Sequence, residues 1–538
     1  MAHRTGALAA CAAVFCIMLL LTVLGHDGKR VAQLMVLALP GIVWLAWPIQ
    51  NSMLHRFRTA AVWLWALAFM IDGALRAYLL DAYQAAPDSS VVLTAIANTN
   101  DRESTEYLHM HWRTLAVWCV VLCGAAAATA WAARQGLRAG LEATRWHVVL
   151  VCAVLLLTMV AYASKPWRRL HPVLFWSHWH TSLSTLRAGW TGQQAQRDAA
   201  LVRARQASPV VLRAGPSTIV LVITDSINRD NLSLYGYGRA TTPRLQTYQR
   251  QLGNQMVVMR NAWSVDASTL PALRNMFGFG APDAVDAQHA LALARAAGYK
   301  VWWMSNHDDV AIEQQHGRMA DVFEMVNRVP GRASASLDGE LIDCLQEAME
   351  DPAERKLIVV HLMGAHPHYN LRFPAGDNPF DHTDDDVEAL MKKHGRSSWT
   401  REFRQSYDAA LLYHDFVVSE TLQLARTAGT PGGHRAWMYL SDHGQEVGHE
   451  SDRAGHSPAT ASGYRIPAVV WRNDPASAAE SLNQAIQQQP FRSDWAAYML
   501  MNLLDIQWAG AMPQRNALSA DYRWQAPHLP VQVPSFTD

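Results

Sequence analysis

Five apolar stretches crowd into the first third of this 538-residue chain, at about 7–25, 31–50, 59–80, 114–133 and 146–164. Each has roughly the length that crosses a bilayer as a helix. Inside lipid a backbone must satisfy its own polar groups, so these segments are constrained to be helices. A cleaved leader is the alternative for the first stretch, but four more follow and no clear small-residue cleavage site precedes His26. Charge orients the set. His55-Arg56-Phe57-Arg58 and the loop from Arg134 to Arg145 are basic, which the positive-inside rule makes cytoplasmic. The loop from Asp81 to Trp112 carries Asp81, Asp88, Asp101, Glu103 and Glu106, which suits the outer side. Five spans with an inner N-terminus put everything after Ser164 outside. Arg168 and Arg169 offend the rule, but they open a long exported domain, where such charges count for little.

The expected organisation is a five-helix transmembrane domain at 1–165, an interfacial connector at 166–216 and an exported domain at 217–538. The connector interleaves Trp167, Phe175, Trp176 and Trp179 with Arg168, Arg169, His171, His178 and His180. That mixture suits either a helix at headgroup level or an ordinary linker packed on the exported domain. From Ser217 short apolar strands alternate with helical segments, the pattern of an α/β domain with a mostly parallel sheet sandwiched by helices. Strands are expected at 218–224, 256–263, 299–304, 356–362, 436–441 and 466–471, and helices at 285–297, 337–350, 402–427, 476–488 and 493–504. The acidic stretch Asp377 to Glu388 reads as a solvated loop, and the proline-rich tail from Met512 as extended surface chain. Lys and Arg together balance Asp and Glu at 46 each, so no basic surface invites nucleic acid. Five of the six cysteines (Cys11, Cys16, Cys119, Cys123, Cys152) lie in the apolar stretches, which leaves Cys344 alone in the exported domain with nothing to pair with.

Two of the strands end in acids. Thr218-Ile-Val-Leu-Val-Ile-Thr-Asp225 stops at a carboxylate, and Trp437-Met-Tyr-Leu-Ser-Asp-His-Gly444 stops at a carboxylate, an imidazole and a glycine. Ligands of an open α/β sheet bind at the carboxyl ends of its strands, and aspartate with histidine is a metal-ligating pair. Ser268 and Thr269 precede a helix-like stretch with Pro271 in its first turn. A hydroxyl there either caps the helix or attacks a phosphate held at the helix N-terminus. His366, beyond the strand Leu357-Ile-Val-Val-His-Leu362, and His456, between Gly455 and Ser457-Pro458, are further cleft candidates. His361 lies inside its strand and reads as a core histidine.

These segments in this order resemble the membrane-anchored phosphoethanolamine transferases of the alkaline phosphatase/sulfatase superfamily, found in Gram-negative envelopes. The resemblance is carried by Asp225 with Leu234-Tyr-Gly-Tyr237 and Thr242-Pro-Arg-Leu245, and by Ser268-Thr269 before Phe277. It continues through Gly298-Tyr-Lys-Val-Trp-Trp-Met-Ser-Asn306, His361-Leu-Met-Gly-Ala-His366, Arg372-Phe-Pro374 and Tyr407-Asp408. Tyr413-His-Asp-Phe-Val-Val-Ser-Glu420, Ser441-Asp-His-Gly444 and His456 complete it.

The resemblance implies an alkaline phosphatase-like periplasmic domain on an inner-membrane anchor, working as a monomer. It implies transfer of phosphoethanolamine from phosphatidylethanolamine to lipopolysaccharide core, lipid A or another envelope glycan. Asp225, Thr269, Asp442 and His443 would hold one zinc, with Thr269 the nucleophile, and His366 and His456 would bind the phosphate or a second zinc. Manganese is the alternative metal. Thr99, Glu103 and Asn306 match substrate contacts. The departures are Asp225 where glutamate is usual, Gln445 for glutamate, Ala95 for asparagine, and His307, Asp308 and Asp309 where many relatives carry serine and lysine. The disulfides common in lipid A-modifying members are missing. These lean toward a core-sugar or other glycan acceptor. A phosphodiesterase or sulfatase-type hydrolase of the same superfamily is the alternative, although threonine cannot become the formylglycine that sulfatases use.

Overall fold

The computed structural model describes residues 2–537 apart from 46, 48, 84–85, 89, 100, 135–144, 192–193, 308–309, 327–335, 429–431 and 474–479. The chain divides into two compact units, Met1–Ala97 with Leu108–Arg187, and Asn98–Tyr107 with Ala188–Asp538. The connector expected at 166–216 is largely helical, at Pro172–Thr191 and Gln194–Gln206, and the division between units falls inside it.

Among the described residues the regular structure of the first unit is helical. The five apolar stretches lie on the helices Ala2–Gly25, Gly28–Leu45, Ser52–Tyr83, Asp101–Arg134 and Arg145–Ala163. Among the described residues, Gly28–Leu45, Ser52–Ala82 and Glu103–Arg134 are long and apolar enough to cross a membrane, whereas Ala9–Gly25 and Val151–Ala163 are shorter. Of the two basic loops expected to orient them, His55-Arg56-Phe57-Arg58 lies on the first turns of the helix Ser52–Tyr83, and that from Arg134 to Arg145 lies mostly outside the described residues. Val14, Met18, Leu21, Leu34, Leu37, Phe69 and Met70 form the common core. A Cβ on Gly73 would come within 2.4 Å of the Leu21 carbonyl, so the first and third helices touch backbone to backbone, as small residues permit in membranes. The third stretch is not free of charge. Asp72 is buried and pairs with His26 Nε2 at 2.9 Å, Arg76 Nε at 3.0 Å and Trp176 Nε1 at 3.0 Å, which meets the desolvation cost of a carboxylate there.

The second unit is built on a seven-stranded sheet: β1 Ser217–Thr224, β2 Met256–Val258, β3 Lys300–Ser305, β4 Val322–Met325, β5 Arg355–Leu362, β6 His434–Ser441 and β7 Ala468–Arg472. Their order is β2-β7-β6-β1-β5-β3-β4, and β7 alone runs antiparallel to its neighbours. The β-branched run of β1 occupies the centre, and every one of its residues is buried, as a parallel strand covered on both faces requires. Val220 and Val222 face the helices Leu341–Glu350 and Ser398–Thr427 through Leu341, Leu345, Val417 and Leu422. On the far side the helix Ala290–Ala296 packs on β3, and Ala496–Leu503 packs on that helix.

Several expected elements change at their ends for local reasons. The strand expected at 256–263 splits, because the Arg260 amide bonds to the Gln487 carbonyl and Asn261–Trp263 then pairs with Pro490–Arg492 outside the main sheet. The helix expected from 285 starts at Ala290, where His289 caps it by accepting from the Leu291 amide. The acidic stretch is a loop only as far as Asp385, whose carboxylate caps the helix Asp386–Lys393. The strand β4 escaped the sequence reading because its four half-buried residues include Glu324 and lack an apolar run.

After β5 the chain turns through Gly364, whose φ is +58°. A Cβ there would lie 2.2 Å from Thr224 Oγ1 and 2.5 Å from the Asp225 carbonyl, so both the conformation and the space require glycine. Gly364→Ala should therefore destabilise the protein by about 1–3 kcal/mol, lowering its unfolding temperature by a few degrees or more. Thermal unfolding of the detergent-purified chain checks this, and an unchanged midpoint would contradict the packing described.

Candidate active site

Parallel register assembles the site. Thr224 pairs with Ser441 of β6 on one side and Leu362 of β5 on the other, so Asp225, Asp442 and Met363 leave the sheet at one level. The next residue, Ser226, takes a φ of +62°, an uncommon conformation for a residue with a side chain. That turn aims its amide at Asp442 Oδ1 (3.2 Å), which also accepts from the His443 amide at 2.6 Å. The Ser226 hydroxyl donates to Asp225 Oδ1 at 2.5 Å. Two carboxylates from adjacent strands are thus fixed side by side, both fully buried.

Thr269 is the first residue of the helix Thr269–Phe277, and Ser268 occupies the cap position with extended backbone and no side-chain cap bond. The Thr269 hydroxyl turns away from capping and donates to Asp225 Oδ2 at 2.8 Å, with His443 Nε2 at 3.4 Å. The helix N-terminus behind it favours an anion. The His443 Nδ1 lies 2.7 Å from the Gly444 carbonyl, to which it donates, and this turns Nε2 toward the acids. From Nε2 it is 3.8 Å to Asp225 Oδ1 and 3.7 Å to Asp442 Oδ2. His456 Nε2 is 3.2 Å from the Ser226 hydroxyl, and its ring centre is 4.6 Å from that of His443. His366 stands 5.9 Å from His456, ring centre to ring centre.

This arrangement fits a divalent cation. Asp225, His443 and His456 each offer a ligand atom within 4.8 Å of the others. Asp442 Oδ2 is buried with no hydrogen-bond partner, an expensive state for a carboxylate oxygen unless a cation takes it. Carboxylate, imidazole and hydroxyl are the donors that suit zinc. The electrostatics agree. Burial pushes the Asp442 carboxyl up, and neighbouring Asp225 adds to this against the pull of His443, bringing it to about 7. Burial acts the same way on Asp225, but His366, His443, His307 and His456 together outweigh it and hold that carboxyl below its ordinary range. His366 and His456 are driven down by burial to about 4 and about 3, whereas at His443 the charges of Asp442 and Asp225 outweigh burial and raise the imidazole.

The remaining expected residues divide. Asn306 is buried, its amide nitrogen donating to Asp338 Oδ1 at 2.8 Å and its oxygen accepting from the Ser336 hydroxyl at 2.7 Å, so this side chain braces the site from behind. Thr99 and Glu103 lie on the Asn98–Tyr107 segment of the second unit, where Glu106 pairs with Arg372 at 2.8 Å. Arg372 Nε in turn donates to the His366 carbonyl at 3.2 Å. Gln445 donates to the Tyr369 hydroxyl at 2.9 Å. Asp308 and Asp309 lie outside the described residues. Sequence reasoning gave no role to three members: Ser226, Asp338 and His307, which was named as a departure from the family pattern and whose Nε2 lies 3.7 Å from Asp225 Oδ2. His307 follows β3 almost directly and was open to the same strand-end argument as Asp225.

A mostly parallel sheet that gathers acids, imidazoles and a helix-terminal hydroxyl at its carboxyl edge defines an alkaline phosphatase/sulfatase-like domain. The chain belongs to the sulfatase family, whose model matches residues 217–506. Residues 30–170 match a second family model, Phosphoethanolamine transferase EptA/EptB, so the family resemblance read from the motifs is borne out. Phosphoethanolamine transferase EptC of Escherichia coli K12 is 31% identical over 271 residues, 48% of this chain and 45% of that relative. The chain spans about half the length of several curated relatives it matches. The crystal structure of the C-terminal periplasmic domain of E. coli EptC in complex with Zn is similar at a TM-score of 0.53 and 25% identity, covering 59% of this chain and 90% of that one. The integral membrane protein lipooligosaccharide phosphoethanolamine transferase A from Neisseria meningitidis is similar over 97% of this chain and 96% of its own, with a TM-score of 0.57. At 17% identity that is a likeness of fold.

The unpartnered Asp442 oxygen gives a test with two signs. Asp442→Asn should leave the metal-free protein as stable as the parent or more so, because it removes a buried charge while keeping the oxygen that accepts from Ser226 and His443. The same change should weaken zinc binding by roughly tenfold or more and cut the zinc-induced rise in unfolding temperature. Unfolding temperatures with chelator and with graded zinc measure both, and an undiminished zinc effect would contradict the ligand assignment.

Proposed function

We propose that this protein transfers phosphoethanolamine from phosphatidylethanolamine to an envelope glycolipid, lipopolysaccharide core or lipid A, and releases diacylglycerol. The observation that carries this reading is the Thr269 hydroxyl at a helix N-terminus, 2.8 Å from Asp225 Oδ2 and 3.4 Å from His443 Nε2. It sits in a chain whose first part matches the Phosphoethanolamine transferase EptA/EptB family. Five helices cross the inner membrane in this reading, and the catalytic domain works as a monomer in the periplasm. The zinc in the E. coli EptC domain and the donor set here support zinc, one or two ions, over manganese.

Asp225, Thr269, Asp442 and His443 hold the cation, which when bound lowers the pKa of the threonine hydroxyl and offsets charge on the phosphoryl oxygens. Thr269 Oγ1 attacks the phosphorus of the donor diester while the bond to the diacylglycerol oxygen breaks. The threonine proton leaves along its hydrogen bond to Asp225 Oδ2 and passes to solvent, and the departing diacylglycerol oxygen takes a proton from water. The helix N-terminus, His366 and His456 face the transferred phosphoryl oxygens. An acceptor hydroxyl then attacks the phospho-threonine, the P–Oγ1 bond breaks, and the acceptor's proton restores the Thr269 hydroxyl. Thr99 and Glu103 take the ethanolamine headgroup from the segment that Glu106 and Arg372 tie to the His366 loop.

Removing the nucleophile should abolish the activity. Thr269→Ala should lower transfer by roughly a thousandfold or more, whereas Thr269→Ser keeps a hydroxyl and a reduced but measurable rate. Mass spectrometry of envelope glycolipids from cells carrying each variant reads this directly. Modification that persists with Thr269→Ala would overturn the reading, and release of free phosphoethanolamine with unmodified glycolipid would favour the hydrolase.

A further inference from the structure

The turn that follows β1 is held by side chains from elsewhere in the fold. The amides of residues 226–228 all donate outside the turn: Ser226 to Asp442 Oδ1 at 3.2 Å, Ile227 to Ser441 Oγ at 3.0 Å and Asn228 to Tyr407 Oη at 2.9 Å. The first two acceptors belong to the end of β6, the opposite wall of the site. The third comes from the helix Ser398–Thr427, and it does more than accept. Its hydroxyl also donates to the Ser226 carbonyl at 2.7 Å. A phenol has one hydrogen to give and lone pairs to receive, and Tyr407 uses both on the same three residues.

This matters because of the conformation it holds. Ser226 is buried with φ at +62°, a backbone that a residue with a side chain leaves for negative φ unless it is restrained. Its amide is tied to Asp442 and its carbonyl to Tyr407, on opposite sides of the φ bond, so φ cannot relax while both bonds last. The same residue aims the site. Its amide fixes Asp442, and its hydroxyl donates to Asp225 Oδ1 at 2.5 Å and lies 3.2 Å from His456 Nε2. Tyr407 itself has nowhere to go. It is fully buried, its ring meets that of Tyr369 edge-on at 5.1 Å, and the next residue, Asp408, accepts from Arg239 at 2.8 Å and from Tyr237 at 2.7 Å. Burial pushes the phenol well above its ordinary range, so the hydrogen it donates stays on it at neutral pH.

We propose that Tyr407 is a positioning residue for the reaction: its hydroxyl keeps Ser226 in the left-handed turn that orients Asp225, Asp442 and His456. It acts through Ser226 and touches neither substrate nor reacting atoms. The proposal rests on the cation reading given under the proposed function, since those three side chains are the ones that a cation would meet.

The zinc affinity of the folded protein tests it, because a tyrosine that served the fold alone would alter stability and leave that affinity unchanged. The detergent-purified full chain, stripped with chelator and titrated with zinc by calorimetry, is compared with Tyr407→Phe, Ser226→Gly and the double variant. Tyr407→Phe should weaken zinc binding by roughly tenfold or more, the usual cost of losing a group that orients ligands. In the Ser226→Gly background the same change should cost less than about threefold, because glycine takes a positive φ without being held there. In transfer assays Tyr407→Phe should lower kcat more than it raises KM for the lipid donor, and a change confined to KM would count against the proposal. Equal zinc affinity in the parent and Tyr407→Phe, or an equal loss in both backgrounds, would overturn it while leaving the cation reading intact. A parent that binds no zinc would overturn the cation reading, and the proposal with it. Circular dichroism shows which variants fold. If Tyr407→Phe alone does not, the double variant carries the test: it should fold and bind zinc within about threefold of Ser226→Gly. Its failure to fold would place the need for the hydroxyl in the fold and not in the turn, and would overturn the proposal.

Discussion

Everything at this edge of the sheet follows from two carboxylates that cannot avoid each other. In-register parallel strands deliver Asp225 and Asp442 to one level, and both are fully buried. Like charges held side by side repel, and burial strengthens that repulsion by taking away the water that would screen it. Backbone amides settle part of this for Asp442 Oδ1, which accepts two of them, each worth about 1.5–3 kcal/mol when the acceptor is charged. Oδ2 of the same residue has no hydrogen bond, so the remaining charge needs a positive partner. Burial lowers the His443 imidazole, but the two acids outweigh it and raise it, so His443 supplies part of that charge, while the imidazoles of His366 and His456, which burial drives down, add lone pairs that suit a cation.

The surrounding strain and crowding serve that placement. Ser226 accepts a left-handed backbone because the turn points its amide at one acid and its hydroxyl at the other. Gly364 does the same on the far side of β1, letting the His366 loop pass against Thr224 and the Asp225 carbonyl. Asp338 then ties that loop to the end of β3. Charges distant from the chemistry are treated differently: Asp72 in the third apolar helix is paired with His26 and Arg76 and bonded to Trp176. That contrast separates a charge that folding has paired on every side from one, at Asp442 Oδ2, that has no hydrogen bond.

How much of this was legible in the sequence depended on whether the signal was local. Apolar runs ending in Asp225 and in Asp442-His443 announced strand ends, and adjacency in the sheet then brought them together. The central strands were readable because burial on both faces leaves an unbroken β-branched run, as in β1. The edge strand β4, half exposed and interrupted by Glu324, carried no such pattern. Asn306 was read by its resemblance to substrate contacts, yet its amide is held by Asp338 and Ser336, residues more than twenty positions away that no spacing rule links to it. His307 was hidden for the opposite reason. It followed a readable strand but matched no motif, and its closeness to Asp225 depends on β3, β5 and β1 lying side by side.

The choice between Ser268 and Thr269 shows why position within a turn matters more than the chemistry of a hydroxyl. Both carry one, and both stand at the start of the same helix. Ser268, with extended backbone at the cap, would ordinarily accept from an amide of the first turn, yet it makes no such bond. Thr269, one residue on, already has helical backbone, and its β-branch restricts χ1 to few rotamers. One of those rotamers puts Oγ1 on Asp225 Oδ2, so little entropy is lost in holding the hydroxyl where the acids, His443 and the helix terminus converge. A serine at the same point has more freedom and a smaller share of its population aimed at the cleft. The threonine is therefore the pre-aimed group, and the uncapped amides beside it remain free to meet an anion.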